Sequence, residues 1–296
     1  LTFFAAVLSG AHAVIGRHFS ATRFWMDAHD HGATVISLMG SMAPILWKQD
    51  PSALDRDHRV RLAVVAPTPK YVTEFEARFG LRCTEMYGLT DVGLPLGIPA
   101  GARRPGSCGR PTPPWQCAIV DDEDNVLPVG EVGELVLRPR RPWAGSLGYW
   151  EMPEATVEAN RNLWFHTGDR MRSDEEGWFY FVDRKKDAIR RSGENISSFE
   201  VEQVILGHPA VAEVAVYPVP SDLAEDEVMA ALVLHPGAEL DLEQLLAYCG
   251  QMLPPFALPR FVDVLAALPK TETQKVQKEA LRQSGVTPTT WRRATR

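Results

Sequence analysis

Three short stretches carry side chains that can work on a nucleotide. Tyr87-Gly88-Leu89-Thr90-Asp91 sets an aromatic ring, a glycine, a hydroxyl and a carboxylate in one run. The ring can stack on a base, Gly88 admits a close approach, and Thr with Asp can hold Mg²⁺ and phosphate oxygens. The competing reading is a strand end with a polar turn. Thr167-Gly168-Asp169 can place a carboxylate on a ribose diol, although so short a run also arises by chance. Arg184, a few residues past a strand, can reach the same sugar or a phosphate. Lys275 ends a Pro-Lys-Thr-x-Thr-x-Lys loop whose polarity is also that of an ordinary solvated loop. His166 and the other histidines are expected to satisfy local hydrogen bonds. No Ser-His-Asp constellation, metal-binding cluster or dinucleotide glycine fingerprint is present.

A fourth stretch, residues 183–196, is unusual for its charge. Seven of the nine residues from Asp183 to Arg191 are charged, and only Ala188 and Ile189 suit a core. Gly193-Glu194-Asn195 then follows a polar-apolar-polar run, which reads as a hairpin or a strand ending in a tight turn. The chain changes character on either side, so the stretch is read as a domain boundary, in its plainest form a solvated linker.

The elements around these residues follow from hydrophobic pattern. Residues 1–16 predict a buried helix, and a second starts near Phe24 with Ser20 or Thr22 as N-cap. Apolar runs at 33–39, 61–66 and 83–87 predict strands, with helices near 42–48 and 71–79 between them. Such alternation implies a parallel sheet covered on both faces. Its ligands sit at the carboxyl ends of the strands, which puts Ala66-Pro67 and the Tyr87–Asp91 run at the rim of a site. From 101 to 181, shorter strands at 116–120, 133–138 and 178–182, with turns at 121–125 and 174–177, predict a small antiparallel barrel or sheet. Beyond the charged stretch come a helix over 198–207, strands over 213–217 and 227–234, and a helix over 241–252. A strand over 261–265, a loop over 268–278 and a helix over 279–284 complete a compact α+β unit. The expected divisions are 1–100, 101–184 and 185–296.

Composition bounds the function. The chain has 296 residues and a net charge of −7, from 31 Lys and Arg against 38 Asp and Glu. An acidic chain argues against nucleic acid as a partner. Basic residues cluster at 184–191 and 270–282, which keeps a small anionic ligand in view. None of the four cysteines forms a C-x-x-C pair, so reduced buried thiols in a cytoplasmic protein are expected. No apolar run is long enough to span a bilayer. Leu1–Ile15 lacks the basic start and cleavage site of a signal peptide, and the opening reads as a fragment whose upstream part is missing.

Taken in order, the pieces form a recognisable succession: Ala66-Pro67, Tyr-Gly-x-Thr-Asp, Gly133-Glu134-Leu135 with Gly148-Tyr149-Trp150, Thr-Gly-Asp, Asp-Arg-x-x-Asp with Gly-Glu-Asn-Ile and Glu200-Val-Glu202, and Pro-x-Thr-x-x-x-Lys-x-x-Lys. This succession resembles the adenylate-forming enzymes, that is, acyl-CoA synthetases, peptide-synthetase adenylation domains and luciferase. It covers nearly the whole chain from about residue 60. The surroundings of Arg141-Pro142-Trp143 and of Trp164–Asp169 are most similar to acyl-CoA ligases of the carnitine/crotonobetaine type.

The resemblance implies an α/β fold. A partial large adenylating domain, with a parallel sheet and a small antiparallel barrel, precedes a mobile α+β C-terminal domain. It implies ATP, giving AMP, with Mg²⁺, coenzyme A and a small carboxylic acid as reactants in the cytoplasm. Tyr87 and Gly88 would sit at the adenine, beside a pocket lined by Ala66 and Pro67. Thr90 would touch phosphate and Asp91 would take the place of a magnesium-binding Glu. Asp169 and Arg184 would hold the ribose hydroxyls, and Lys186 would be the hinge. Gly193 would line the pantetheine path, and Lys275 would bridge the acyl carboxylate and the α-phosphate. The chain departs from the family at Asp91, at Asp183 where Gly is commoner, and at Gln274 where Gly is usual. The family's phosphate loop and much of its substrate-binding half are absent. An adenylase that loads a carrier-protein thiol, and a non-catalytic remnant that binds adenylate or a partner, are the rival readings.

Overall fold

The computed structural model describes residues 2–39, 42–66, 68–69, 71–99, 102, 104–191, 194–220, 225–271 and 275–293. The chain divides into two compact units, Leu1–Thr167 with Arg172–Phe181, and Gly168–Met171 with Val182–Arg296.

In the first unit, helix α1 (Thr2–Ser9) is shorter than expected and is not buried. Phe3, Phe4, Val7 and Leu8 are exposed, Leu8 at 87%. Apolar content makes the helix, and Gly10, at φ +67°, ends it: Ala11 N–H donates to Ala6 O at 2.9 Å and Gly10 N–H to Val7 O at 3.2 Å. Helix α2 (Phe24–Asp30) has no side-chain cap. The main-chain oxygen of Ser20 accepts from Phe24 N–H at 2.9 Å, so a backbone turn winds into the helix where a hydroxyl cap is expected. Strand β1 (Val35–Met39), helix α3 (Met42–Trp47), strand β2 (Leu62–Ala66), helix α4 (Val72–Phe79) and strand β3 (Arg82–Thr84) follow. The three strands form a parallel sheet in the order β1-β2-β3, with Val35 opposite Leu62 and Leu62 opposite Arg82. Leu38, Leu46, Ala63, Val65, Phe75 and Phe79 form its core. Burial alternates along β2, and Val35 and Met39 at the ends of β1 are exposed, so continuous burial on both faces is not observed.

The expected strand over 83–87 is two strands. At Glu85 the chain leaves the parallel sheet, and β4 (Met86–Leu89) pairs antiparallel with β5 (Gly93–Gly97), which pairs with β6 (Arg110–Pro111). A second antiparallel sheet contains β7 (Trp115–Val120) and β8 (Gly133–Pro139). After helix α5 (Pro153–Ala159) come β9 (Phe165–Ser173) and β10 (Phe179–Arg184), in the order β10-β9-β8-β7. Residues 168–171 of β9 and 182–184 of β10 belong to the second unit. Strand β9 is not legible as an alternating pattern. Its buried positions are His166, Asp169 and Met171, and Gly168 at φ +69° shifts the phase between the first two.

The second unit continues with a hairpin of β11 (Ile189–Arg191) and β12 (Glu194–Ile196), helix α6 (Ser198–Leu206), β13 (Val211–Pro220) and β14 (Asp226–Leu234). Helix α7 (Leu242–Cys249), β15 (Phe261–Val264), helix α8 (Lys278–Ser284) and β16 (Trp291–Arg292) complete it. Strand order is β13-β14-β15-β16, antiparallel except between β14 and β15. This sheet is covered on both faces. Val216, Ala230, Leu232 and Val262 pack with Ile189, Val201, Ile205 and Leu245, while Ala215, Tyr217 and Met229 pack with Leu268 and Leu281. The helices start where local chemistry dictates: Ser197 Oγ accepts from Glu200 N–H at 3.0 Å, and Asp241 Oδ1 accepts from Glu243 and Gln244 N–H.

The four cysteines are free, two of them buried, and burial pushes the Cys117 thiol up to about 12. Among the described residues no helix is long and apolar enough to cross a membrane.

Candidate functional site

The expected site residues fall into two groups, one in each compact unit. In the first unit Ala66 ends β2, half-buried opposite Met39, while Pro67 lies outside the described residues. Tyr87 stands in antiparallel β4 opposite Leu96, not at the carboxyl end of a parallel strand. Gly88 is needed there for a reason internal to the hairpin. A Cβ would lie 2.5 Å from Gly93 O and 2.7 Å from a Leu94 methyl, so the close approach is that of β5. Thr90 and Asp91 form the turn from β4 to β5, Thr90 exposed and Asp91 half-buried.

A neighbour to Asp91 arrives from far along the chain. Ser146 N–H donates to Asp91 O at 2.9 Å, and the Tyr149 hydroxyl hydrogen-bonds the Asp91 side chain. Desolvation first, and this bond second, raise the phenol above its usual range. Tyr149 is held in turn by α5, its N–H donating to Thr156 Oγ1 at 2.8 Å. Gly148, at φ +131°, would place a Cβ 2.5 Å from Thr156, so no other residue fits. Beside the same hairpin a shallow cleft is lined by Thr68, Glu76, Cys83, Glu85 and Arg104, among others. Burial pushes the Glu85 carboxyl up, against the hydrogen bonds from Thr68. Neither Tyr149 nor Glu85 was assigned a role by sequence. Tyr149 was visible only as part of Gly-Tyr-Trp.

In the second unit Asp169 is buried on β9, and Arg184, at the end of β10, brings Nε to 3.5 Å from its Oδ1. Lys275 belongs to the same neighbourhood. Its side chain is exposed, yet partial desolvation, then the charges of Arg184 and Lys186, push its amine below the usual lysine value, while Asp169 and Asp187 pull the other way. The loop that carries it is braced at both ends. Lys270 Nζ lies 2.6 Å from Glu213 Oε2, Lys278 Nζ lies 2.8 Å from Glu202 Oε1, and Thr271 N–H donates to Lys275 O at 2.9 Å. Gly193 and Gln274 lie outside the described residues. The unit therefore brings together Asp169, Arg184, Lys186 and Lys275.

The charged stretch is more than a solvated linker. Lys185 and Lys186 are exposed on a 3₁₀ turn, but Asp183 and Asp187 on either side are buried. Asp183 Oδ2 accepts from Ser198 N–H, and its Oδ1 from Ser198 Oγ at 3.1 Å and Arg184 N–H at 2.7 Å. Asp187 pairs with Arg282 at 3.0 Å and lies 3.8 Å from Lys278 Nζ. Residue count alone reads such a run as exposed, because the pattern does not reveal that its acids have partners as far away as Ser198, Lys278 and Arg282.

His166 departs from expectation in the opposite sense. It is buried, 3.3 Å from Glu134 Oε2, and neither ring nitrogen makes a hydrogen bond among the described residues. No group of His, Cys, Asp and Glu among those residues suits a metal ion on protein ligands alone. Any divalent ion at Asp91 would take its remaining ligands from a substrate and water.

The chain matches the family model described as AMP-binding enzyme over residues 1–150, and the one described as AMP-binding enzyme C-terminal domain over 200–275. It is 35% identical over 284 residues to a crotonobetaine/carnitine–CoA ligase of Salmonella arizonae, covering 94% of this chain and 55% of that protein. Against the protein of the same description from Shigella flexneri the identity is 33% over 283 residues, with 94% and 55% covered. The chain thus spans about half the length of the curated relatives it matches. Among solved structures, ATP-bound MatB from Rhodopseudomonas palustris superposes with a TM-score of 0.80 at 27% identity, over 95% of this chain and 56% of that one. The o-succinylbenzoate CoA synthetase of Bacillus subtilis, in complex with its acyl-adenylate intermediate, gives 0.79 at 27% identity, over 94% and 57%.

Proposed function

The chain belongs to the AMP-binding enzyme family, and from that premise we propose that it is the C-terminal part of an ATP-dependent acyl-CoA ligase acting in the cytoplasm. A carboxylate oxygen attacks the α-phosphorus of ATP, forming acyl-AMP as pyrophosphate leaves. The thiol of coenzyme A then attacks the acyl carbon, and AMP leaves as the thiol gives up its proton. The observation that carries this reading is the grouping of Lys275 with Asp169 and Arg184 in one compact unit. A nucleotide needs a carboxylate for its ribose diol and a cation for its α-phosphate within one sugar's reach.

Asp169 accepts hydrogen bonds from the ribose hydroxyls, and Arg184 beside it donates to the sugar. Lys275 lies between the substrate carboxylate and the α-phosphate, where negative charge grows in the first step. Tyr87 stacks on adenine beside Ala66 and Pro67. Magnesium fits the oxygen donors of Thr90 and Asp91, and when bound with ATP it would neutralise phosphate charge. Tyr149 fixes the Asp91 carboxylate, which is one methylene shorter than the usual Glu. Lys186 serves as the hinge and Gly193 lines the pantetheine path in the second step. Likeness to the curated relatives favours a carboxylic acid of the carnitine or crotonobetaine type.

The test is carboxylate-dependent exchange of pyrophosphate into ATP by the full-length polypeptide, followed by thioester formation with coenzyme A. Exchange with a trimethylammonium carboxylate and transfer to coenzyme A are expected. Transfer only to a carrier-protein thiol would replace the acceptor, and no exchange with any carboxylate would overturn the reading.

A further inference from the structure

The two buried carboxylates that flank Lys185 and Lys186 are not equivalent. Asp187 is bonded to Arg282 and lies near Lys278, and Arg282 Nη1 also reaches Lys186 O at 3.4 Å. These groups all lie at or beyond residue 186. Asp183 precedes the lysines, yet its bonds run to Ser198, which follows them. Val182 does the same, its carbonyl accepting from Ser197 Oγ at 2.7 Å. Ser198 Oγ in turn accepts from Lys278 Nζ at 3.0 Å, and Lys278 stands three residues after Lys275. A continuous line of bonds therefore joins the residue before the exposed lysines to the base of the Lys275 loop.

We infer that Asp183 is a latch across the 184–197 segment and a positioning residue for Lys275. A backbone rotation at Lys186 cannot proceed while Asp183 is bonded to Ser198, because the two lie on opposite sides of the rotating bond. While the latch is closed, Ser198 and Lys278 hold the Lys275 loop beside Asp169 and Arg184. When it opens, the whole stretch from Lys186 to Lys278 is released together. Glycine at position 183 could not make these bonds, so a carboxylate there lengthens the time spent in the closed arrangement. Asp183 is only 3% exposed, so its carboxylate exchanges two protein donors for water when the latch opens. That exchange is what makes the closed and open arrangements discrete.

The first arm of the test needs no enzymatic activity. Trypsin cleaves after Lys185 and Lys186 only when the turn opens locally, so the cleavage rate of the native 296-residue chain reports latch opening. Asp183→Ala removes both bonds from Ser198 and is expected to speed cleavage at those bonds at least about ten-fold, the effect of losing even one hydrogen bond to a charged group. Ser198→Ala, which keeps the amide donor but removes the hydroxyl, is expected to give a smaller increase in the same direction, and it decides the matter if the first variant fails to fold. Cleavage rates equal to the parent chain in both variants would overturn the latch.

The second arm rests on the function proposed above. In the full-length enzyme Asp183→Ala is expected to slow pyrophosphate exchange several-fold while leaving thioester formation from supplied acyl-adenylate unchanged or faster. Parallel loss in both half-reactions would overturn the positioning role, since a merely structural defect lowers the two together. A parent enzyme with no exchange would sink the proposed function and leave the proteolysis result standing.

Discussion

The first unit groups Asp124, Glu134, Arg161 and His166, and the second groups Asp183, Asp187, Glu202, Lys278 and Arg282. Both are knots of largely buried charge, and they are completed differently. In the second unit each carboxylate has donors: Ser198 for Asp183, Arg282 for Asp187, Lys278 and Val216 N–H for Glu202. In the first, Arg161 spans Asp124, Glu134 and Glu158 within 3.4 Å, Asn162 bonds Asp124, and among the described residues His166 has no hydrogen-bond partner. Asp124, Asn162 and Leu163 also sit at positive φ around this knot, a conformation that side chains tolerate only when their surroundings hold them. The difference teaches that a set of charges in a protein interior is defined by its hydrogen bonds more than by its net charge. The complete set ties distant segments into one body, whereas the incomplete one orders a single corner.

The largest expected effect breaks the complete set. Lys278 is 16% exposed and serves Glu202, Ser198 and Asp187 at once. Lys278→Met should destabilise the second unit by about 3–5 kcal/mol, because partnered carboxylates are left in an apolar setting. Urea unfolding measures this, and the double variant Lys278→Met with Glu202→Met should recover much of the loss. If the double variant is no better than the single, packing outweighs charge in this knot.

Next in size is Lys275→Ala in the full-length enzyme. It should slow pyrophosphate exchange by roughly a hundred-fold, as expected for removing a cation from a developing charge. Thioester formation from supplied acyl-adenylate should be spared. Equal loss in both steps would detach Lys275 from the first step, and with it the functional half of the comparison.

Acid should separate the two units. Burial raises Asp183, and burial also raises Glu202 against the pull of Lys278. A carboxyl whose folded value is raised contributes stability that is complete below its unfolded value and lost as pH climbs through the folded one. These two groups therefore favour the second unit as pH falls from neutrality toward their ordinary values, 3.8 for Asp183 and 4.5 for Glu202. In the first unit burial works against Asp174 ionisation, but bonds from Trp178 N–H, Tyr180 and Arg104 hold its carboxyl down to about 2. That contribution is present above the ordinary Asp value of 3.8 and disappears as pH falls toward 2. Melting curves at stepped pH should show Asp183→Asn flattening the slope above pH 3.8 and Asp174→Asn flattening it only below 3.8. A flat profile in the parent chain over both ranges would remove the distinction.

The smallest effect is expected at His166. Its imidazole is 4% exposed and makes no hydrogen bond among the described residues, so His166→Phe takes from them no donor that a neighbour needs. A change within about 1 kcal/mol is expected for such a replacement. A loss above about 3 kcal/mol would mean that Glu134 depends on the imidazole as its partner, and the two knots would then be alike.

Much of the outline was determined by sequence alone. The order of motifs identified the family that the AMP-binding enzyme model matches. The helices at 198–206 and 242–249, the parallel strands at 35–39 and 62–66 and the α+β unit beyond the charged stretch followed from hydrophobic periodicity, which acts over a few residues. Other features were decided only in three dimensions. A helix of apolar residues at 2–9 is buried or exposed according to what packs on it, which its own pattern does not encode. The strand at 165–173 hid because Gly168 shifts its phase and its inward positions include a histidine and an aspartate. Asp91 meets Tyr149 across 58 positions of chain, and Asp183 meets Ser198 across 15, as 149 − 91 and 198 − 183 give. Local propensity reaches only as far as the next turn. Whether a carboxylate is solvated or buried with partners depends on which distant backbone the fold brings to it.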